Sequence, residues 1–212
     1  MFGFTAQSEA PRPDNIPVVL YNTLGRQKQE FVSLKPGEAR LYSCGPTVYD
    51  YITIGNLRSY VFSDVLRRTL EYNNYKVAQV INITDVGHLV SDGDDGDDKM
   101  TKGLLREGKE LTLESMRELS EFYAGEFATD IASLNILSPE VMPRATDHIA
   151  EQIAYIKTLD QKGYAYTTSD GVYYDVSRFT TYGELSGAKK AIDTEHARVE
   201  ANPEKRNPED FA

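Results

Sequence analysis

Residues 39–83 read ARLYSCGPTVYDYITIGNLRSYVFSDVLRRTLEYNNYKVAQVINI, and the order of apolar and polar residues in them predicts a strand, a helix and a second strand. The first strand is expected at residues 39–44, because Gly45 and Pro46 close a short apolar run. Residues 76–83 are nearly continuous in apolar and β-branched side chains, which is typical of a strand covered on both sides. Two such strands joined by one helix form a βαβ unit, with a parallel sheet and a right-handed crossover.

The segment between the two strands predicts a helix over residues 56–72. Its apolar residues recur at four-residue intervals in two adjacent stripes, which together form a face wide enough to pack on the sheet. The stripes are Leu57, Val61 and Val65, and Phe62, Leu66 and Leu70.

Beyond this unit the sequence predicts two more helices and a small hairpin. The first of these helices is long and amphipathic, with apolar residues at intervals of three or four: Leu113, Met116, Leu119, Tyr123, Phe127, Ile131 and Leu134. The second is expected to bury one side: Ile149, Ile153, Ile156 and Leu159. Gly163 follows it, where a left-handed cap belongs. Residues 164–166 and 171–176 predict the hairpin, with residues 169–171 as its turn.

These elements indicate the α/β class. A doubly wound sheet normally contains about five or six strands, and after residues 39–83 no later stretch predicts another parallel strand. We therefore expect the βαβ unit to be the first part of a larger sheet.

Composition excludes several classes of protein. The chain has 212 residues, a formal net charge of −10, 40% hydrophobic residues and a mean hydropathy of −0.47, which is typical of a soluble globular protein. No apolar run approaches the roughly 18 to 20 residues that a membrane-spanning helix needs. A net charge this negative argues against a dedicated nucleic-acid binder. Residues 1–17 have no basic start followed by an apolar stretch, so we expect a disordered leader and not a secretory signal.

The one cysteine, Cys44, cannot form an internal disulfide. A lone thiol without a targeting segment indicates a reducing compartment, and we expect a cytoplasmic location. The thiol could bind a metal or act as a nucleophile. The alternative is that Cys44 is a small buried hydrophobic residue.

Two other groups of polar residues are weaker candidates for a site. The histidines, His88, His148 and His196, are too dispersed for a metal-ligand pattern and are expected at the surface or at helix ends. Residues 92–98 are rich in Asp but lack the ligand spacing and the Glu of a calcium loop, which favours a solvated loop.

The segment most informative about function is residues 44–56, CGPTVYDYITIGN. It follows the first strand at the carboxyl end, where α/β sheets bind ligands. Gly55 lacks a side chain where the helix begins, and a helix N-terminus offers free N–H groups to a phosphate. The alternative is a tight helix start that binds no ligand.

This segment and several later motifs resemble the cysteinyl-tRNA synthetases, in which a zinc-binding Cys leads into the H-I-G-H motif of class I synthetases. The residues that carry the resemblance include Cys44 and the sequences CGPTVYD (44–50) and TIGNLR (53–58). Further motifs occur in the order of that family: YNTL (21–24), NITD (82–85), LNIL (134–137), PRATDHI (143–149) and RNPEDF (206–211). The resemblance covers residues 18–212, nearly everything outside the leader.

The resemblance implies a fold, and it assigns boundaries to it. Residues 18–135 would form the first half of a Rossmann-type, class I synthetase catalytic domain with a parallel sheet. Residues 136–212 would form a helical and hairpin connective insert, truncated before the second half of that domain. A monomer is expected for the complete enzyme.

The resemblance also implies an activity and its residues. ATP, with Mg²⁺, would activate cysteine to the aminoacyl adenylate, and the cysteinyl group would pass to tRNA(Cys). Cys44 would be a Zn²⁺ ligand, and Gly45, Thr47 and Thr84 would bind the substrate cysteine. The residues that would bind ATP are Thr53, Ile54, Gly55 and Asn56, of which Thr53 and Asn56 would be catalytic.

The sequence departs from the family in two respects. Thr53 and Asn56 replace the first and last histidines of the H-I-G-H motif, so a hydroxyl that can donate a hydrogen bond but carries no charge stands in for an imidazole. The other zinc ligands, the K-M-S-K-S loop and the anticodon-binding helices of the family would lie beyond residue 212. We therefore expect the chain alone to be inactive.

Two other functions are compatible with the same motifs. One is the cysteine ligase of mycothiol synthesis, which shares the fold, the zinc and the adenylate chemistry but joins cysteine to an amino sugar. The other is a non-catalytic fragment that binds a nucleotide or tRNA.

Overall fold

The structure is a computed structural model, and it describes residues 17–86, 99–185 and 202–212. The strands are β1 (Val19–Asn22), β2 (Gln27–Glu30), β3 (Glu38–Ser43), β4 (Lys76–Ile81), β5 (Ala165–Thr167) and β6 (Val172–Tyr174). The α-helices are α1 (Ile54–Tyr72), α2 (Lys99–Arg106), α3 (Leu113–Ser133) and α4 (Ile149–Gln161). Short 3₁₀ turns span Thr146–His148 and Val176–Arg178.

The predicted βαβ unit is present, which confirms the α/β class. β3 and β4 pair in parallel, from Glu38 opposite Lys76 to Ser43 opposite Ile81, and α1 connects them. β1 and β2 form an antiparallel hairpin that the sequence did not predict. All four residues of β2 are polar and exposed, so no alternation of apolar residues marks the strand.

A third extended segment, residues 140–145, runs parallel to β4 on the side away from β3. The N–H of Ile81 donates to the Val141 carbonyl at 3.1 Å, and the N–H of Ile83 donates to the Pro143 carbonyl at 2.8 Å. In the other direction, the N–H of Ala145 donates to the Ile83 carbonyl at 3.0 Å. The expectation of no further parallel partner was wrong, and β4 is an internal strand.

Helix α1 buries only part of the predicted stripes. Val61, Phe62 and Val65 are exposed, Phe62 to 71%, whereas the buried residues are Tyr60, Asp64, Arg67 and Leu70. The predicted packing face was therefore wrong for half of its residues, since Leu57 and Leu66 pack against the core and Leu70 is part of it.

The physical reason is that the polar residues on the inner side of α1 hold the chain that leads into the third segment. Asp64 accepts a hydrogen bond from the N–H of Leu137 at 2.9 Å. Arg67 donates to the Ser138 carbonyl at 2.9 Å and to Glu140 at 2.6 Å. Partial burial opposes ionisation of Glu140, but hydrogen bonds from the Gln79 backbone and Arg67 outweigh it and lower the pKa of the Glu140 carboxyl.

Within residues 17–86, 99–185 and 202–212, β4 is covered on one side only, so the prediction of a strand covered on both sides was wrong. Val77, Gln79 and Ile81 are buried, whereas Lys76 and Ala78 on the alternate face are exposed. The described residues place the main core on one face of the sheet.

Helix α3 contributes to that core as the sequence predicted. Leu119, Tyr123, Phe127 and Ile131 are buried, and only the ends of the predicted stripe, such as Leu113, are exposed. α2 adds Met100 and Leu104, which are fully buried.

Helix α4 does not bury the predicted stripe. No residue of α4 is fully buried, and Ile149, Ile153 and Ile156 are each nearly half exposed. Among the described residues, α4 packs mainly against the edge of the short β5–β6 hairpin, which cannot cover a whole helix face. The hairpin itself and the left-handed Gly163, with φ +75°, are confirmed.

The last described segment, residues 202–212, folds back onto the β5–β6 hairpin. Phe211 forms an antiparallel bridge with Tyr174. The Asp210 carboxylate, only 2% exposed, accepts hydrogen bonds from the Tyr166 hydroxyl at 2.7 Å and the Val176 N–H at 2.9 Å. This buried carboxylate joins the last residues of the predicted insert to the hairpin in its middle.

Several predictions fall on residues outside the described ranges. They concern the leader up to residue 16, the acidic residues 92–98, His88 and His196. His148 is exposed at the start of α4, as predicted. Among the described residues, no helix combines the length and apolar character that crossing a membrane requires.

Candidate functional site

The carboxyl ends of β3 and β4 bring together four of the predicted site residues. Thr47 and Thr84 face each other in a parallel bridge. The N–H of Val48 donates to the Thr84 carbonyl at 3.1 Å, and the N–H of Thr84 donates to the Pro46 carbonyl at 3.0 Å. Cys44 and Gly45 lie directly before this bridge in the chain, so the predicted cysteine-binding residues share one edge of the sheet.

At this edge of the sheet, the backbone of Gly45 lies very close to the backbone of Asn82. A Cβ atom at residue 45 would lie 1.4 Å from the Asn82 carbonyl oxygen and 2.6 Å from its carbon. The absence of a side chain therefore lets the two strand ends meet. The CGPTVYD motif includes Gly45, but only the structure gives this steric reason for it.

Asn82 is the polar residue at this edge that the sequence reasoning did not single out. Its Oδ1 accepts hydrogen bonds from the N–H of Gly45 at 2.8 Å and from the Tyr42 hydroxyl at 3.0 Å. Its Nδ2 donates to Oγ1 of Thr84 at 3.1 Å. The signal that could have found it is a polar residue placed where a buried strand ends.

The Cys44 thiol is exposed, which contradicts the alternative of a buried hydrophobic residue. A hydrogen bond of 3.1 Å between the hydroxyls of Ser43 and Ser63 aligns the end of β3 with α1. Tyr60, one turn earlier on α1, is 4% exposed. Burial and, secondarily, the Cys44 thiol raise the pKa of Tyr60 to about 12, so its phenol is neutral at physiological pH.

One cysteine does not make a complete metal site. Within residues 17–86, 99–185 and 202–212, no three His, Cys, Asp or Glu side chains cluster closely enough to hold a metal ion. An exposed thiolate is a suitable ligand for a soft metal such as Zn²⁺, so Cys44 fits one of the four positions of a tetrahedral site.

Thr53 and Asn56 form the start of α1 and bond to each other. Oγ1 of Thr53 accepts a hydrogen bond from the N–H of Asn56 at 3.3 Å and donates one to Oδ1 of Asn56 at 2.6 Å. Thr53 is thus the N-cap of α1, with extended backbone angles. Ile54 and Gly55 occupy the exposed first turn, whose N–H groups have no partner within a helix.

The loop between the strand edge and α1 is held from the other side by Arg106 of α2. Its guanidinium donates to the Tyr49 carbonyl at 2.7 Å, to the Tyr123 hydroxyl at 2.9 Å and to the Asp50 carboxylate. The ring of Tyr51 also lies edge-on to Tyr123, with centroids 5.2 Å apart. These contacts fix the path of the chain that presents Thr53.

Comparisons with known proteins point to one family. A family model described as the catalytic domain of class I (C) tRNA synthetases matches residues 30–212. The cysteine–tRNA ligase 1 of Burkholderia lata is 50% identical over 197 residues. The cysteine–tRNA ligases of Treponema denticola and Thermococcus kodakarensis are 47% and 44% identical over 192 and 195 residues.

These matches cover this chain and its relatives unequally. They include 93%, 91% and 92% of this chain but 41%, 38% and 38% of the three relatives, in the same order. The chain therefore spans about two fifths of the length of the relatives it matches. Because the family model covers most of the sequence, this chain belongs to the class I (C) tRNA synthetase catalytic-domain family.

Proposed function

We propose that the chain is the amino-terminal part of a cysteine–tRNA ligase, with the sites for ATP and for cysteine at the carboxyl ends of β3 and β4. One observation carries the proposal. Gly45, Thr47 and Thr84 lie together at the carboxyl ends of β3 and β4, and the chain runs from there to the exposed start of α1. The names of the relatives favour tRNA over an amino sugar as the acceptor of the cysteinyl group.

The same proposal includes the domain boundaries. Residues 18–135 would be the first half of a Rossmann-type domain, and residues 136–212 the connective insert. The order β3–β4–segment 140–145 supports a parallel sheet that begins in this part of the chain. Because residues 140–145 lie in the range given to the insert, the sheet would extend past residue 135. The cytoplasmic location and the monomeric state stay predictions.

In the proposed reaction the carboxylate of cysteine attacks the α-phosphate of ATP, and pyrophosphate leaves. This chain would hold the reactants in line and stabilise charge on the phosphoryl oxygens. The N–H groups of Ile54 and Gly55 would donate to those oxygens. Because Oδ1 of Asn56 is occupied by Thr53, the Nδ2 group of Asn56 would be the side-chain donor there.

A bound Zn²⁺ would coordinate the thiolate of substrate cysteine, a much better ligand than the hydroxyl of serine. Cys44 would be one of its protein ligands. Among the described residues, no three His, Cys, Asp or Glu side chains lie close enough together to complete the site.

The proposed function is tested in a completed enzyme, made by joining the chain at Ala212 to the remaining carboxyl-terminal part of the Burkholderia lata relative. We expect ATP–pyrophosphate exchange that depends on cysteine and that serine does not support. The 212-residue chain alone is the control and should show no exchange. A folded completed enzyme that binds tRNA but never activates cysteine would support the non-catalytic alternative.

Cys44→Ser in the completed enzyme should lower both the zinc content and the rate of cysteine activation, because a neutral hydroxyl replaces a thiolate. ATP affinity should change little. Zinc content is measured by elemental analysis, and activation by pyrophosphate exchange. A full complement of zinc in this variant would remove Cys44 from the ligand set.

Thr53→Ala tests the start of α1. Loss of the cap should cost about 0.5–2 kcal/mol of stability. If Thr53 also orients Asn56 toward the phosphates, adenylate formation in the completed enzyme should slow by about ten- to a thousandfold, the range for losing one donor to developing charge.

The matched control is Thr112→Ala. Thr112 caps α3 with the same geometry, because Oγ1 accepts from the N–H of Ser115 at 3.1 Å. Both variants should melt at lower temperature, and only Thr53→Ala should slow single-turnover adenylation. Equal adenylation rates in the two variants would leave Thr53 with capping alone.

A further inference from the structure

The Asn82 side chain connects the two strand ends that carry the proposed cysteine-binding residues. It receives hydrogen bonds from Gly45 and Tyr42 on the β3 side and donates one to Thr84 on its own side. No other described side chain bonds to both Gly45 and Thr84.

The orientation of the Asn82 amide follows from the chemistry of its partners. The backbone N–H of Gly45 can only donate, so the atom 2.8 Å away must be the oxygen Oδ1. The NH₂ group therefore faces Oγ1 of Thr84, to which it donates at 3.1 Å.

This orientation determines what the Thr84 hydroxyl can do. Because its oxygen already accepts the Asn82 proton, its own O–H is left to donate, and no described residue accepts that proton. A hydroxyl whose O–H is free to donate is better suited to bind an acceptor atom of a ligand than to bind an ammonium group, which can only donate.

We propose that Asn82 is a positioning residue that sets the Thr84 hydroxyl as a hydrogen-bond donor toward the carboxylate of the substrate cysteine. The inference rests on the proposed function, because the carboxylate is that of the amino acid to be activated. Asn82 acts through Thr84 and does not itself touch the substrate.

The test is a double-mutant cycle in the completed enzyme, with Asn82→Asp, Thr84→Val and the two together. Aspartate keeps an oxygen that can accept from Gly45 and Tyr42. Its second oxygen, however, accepts a hydrogen bond from the Thr84 hydroxyl, which is then no longer available to the substrate. We expect each single variant to raise KM for cysteine by about ten- to a hundredfold, the range for one hydrogen bond to a charged group. The double variant should be no worse than either, and KM for ATP should stay within about twofold.

Asn22→Asp is the matched control. Asn22 lies in β1, where its Nδ2 donates to the exposed side chain of Gln29, so the same substitution adds the same charge away from the strand ends. KM for cysteine should not change in this variant. If the effects of Asn82→Asp and Thr84→Val multiply in the double variant, charge repulsion or general damage is responsible, and the positioning role is wrong. The same conclusion follows if Asn82→Asp leaves KM for cysteine unchanged.

The 212-residue chain provides a second measurement that does not depend on activity. In its NMR spectrum, Thr84→Val should shift the side-chain NH₂ resonances of Asn82 and leave the amide resonance of Gly45 in place. Asn82→Ala should shift the Gly45 amide. Unmoved Asn82 resonances in Thr84→Val would overturn the link itself. A completed enzyme without exchange activity, together with the expected shifts, would refute the proposed function and leave the Asn82–Thr84 link intact.

Discussion

Gly45→Ala is expected to destroy the packing of the two strand ends and to cost at least about 4 kcal/mol of stability, which is an exceptional effect for one methyl group. The added Cβ would lie 1.4 Å from the Asn82 carbonyl oxygen. No rotamer change can relieve this clash, because the backbone fixes the position of a Cβ and the carbonyl oxygen is itself part of the backbone. The strands would have to separate, and the hydrogen bond from the Gly45 N–H to Asn82 would be lost with them. Denaturant unfolding of the 212-residue chain measures the loss.

Gly125→Ala is the same substitution at a position with the opposite outcome. Gly125 lies inside α3, and a Cβ there would meet nothing within 4 Å. Alanine should therefore stabilise the helix by up to about 1 kcal/mol. If both alanine variants unfold at the same denaturant concentration as the parent chain, the close approach at Gly45 does not exist.

Asp210→Asn is expected to have the second large effect, a loss of about 1.5–3 kcal/mol of stability, the range for a hydrogen bond to a buried charged group. Both carboxylate oxygens receive donors, one from Val176 and the other from Tyr166 and Asn207. An amide can present only one oxygen, so its NH₂ group would face a donor in a site that is 2% exposed. Residues 202–212 should then detach from the β5–β6 hairpin.

The aromatic rings of this region report the detachment. Phe211 stacks on Tyr174 with centroids 5.5 Å apart, so near-ultraviolet circular dichroism should weaken in Asp210→Asn. Asp160→Asn is the control, because Asp160 is exposed near the end of α4 and its charge there is mildly unfavourable. A spectrum of Asp210→Asn that matches that of Asp160→Asn would mean that the carboxylate does not hold the segment.

Local periodicity was sufficient to predict some elements and not others. α3 follows its predicted stripe because Leu119, Tyr123 and Phe127 recur at helical spacing and all pack into one core. The buried side of α1 could not be predicted in this way, because Asp64 and Arg67 are buried by hydrogen bonds to residues 73 and 71 positions later in the chain. Hydrophobicity carries no information about such distant polar partners.

Segment 140–145 was missed for a related reason. It contains Pro143 and has no alternation of apolar residues, so its sequence does not indicate a strand. Its place beside β4 comes from a few backbone hydrogen bonds and from the pair of Arg67 with Glu140. These interactions come from α1 and β4, which lie far away in the sequence, so the segment's own residues do not reveal them.

For the candidate site, motif resemblance supplied the positions of Cys44, Thr47 and Thr84 but not the interactions among them. That Thr47 lies opposite Thr84 depends on the register of two strands. The bonding of Asn82 to both sides depends on side-chain orientation at their ends, which spacing alone does not determine. The roles proposed for all of these residues in binding ATP and cysteine stay predictions.

The position of β3 at the border of the sheet has a consequence for the exchange of its amide protons with deuterated solvent. β4 bonds to a neighbour on each side, whereas the described residues pair β3, from Ala39 to Ser43, with β4 alone. In such an edge strand, every second backbone N–H points away from the sheet and has no strand partner. The amides of β3 should therefore alternate between slow and fast exchange, whereas those of residues 79–81 in β4, which have partners on both sides, should all exchange slowly. In a completed enzyme, loss of that alternation in exchange rates would show directly that another strand pairs with β3, next to Cys44.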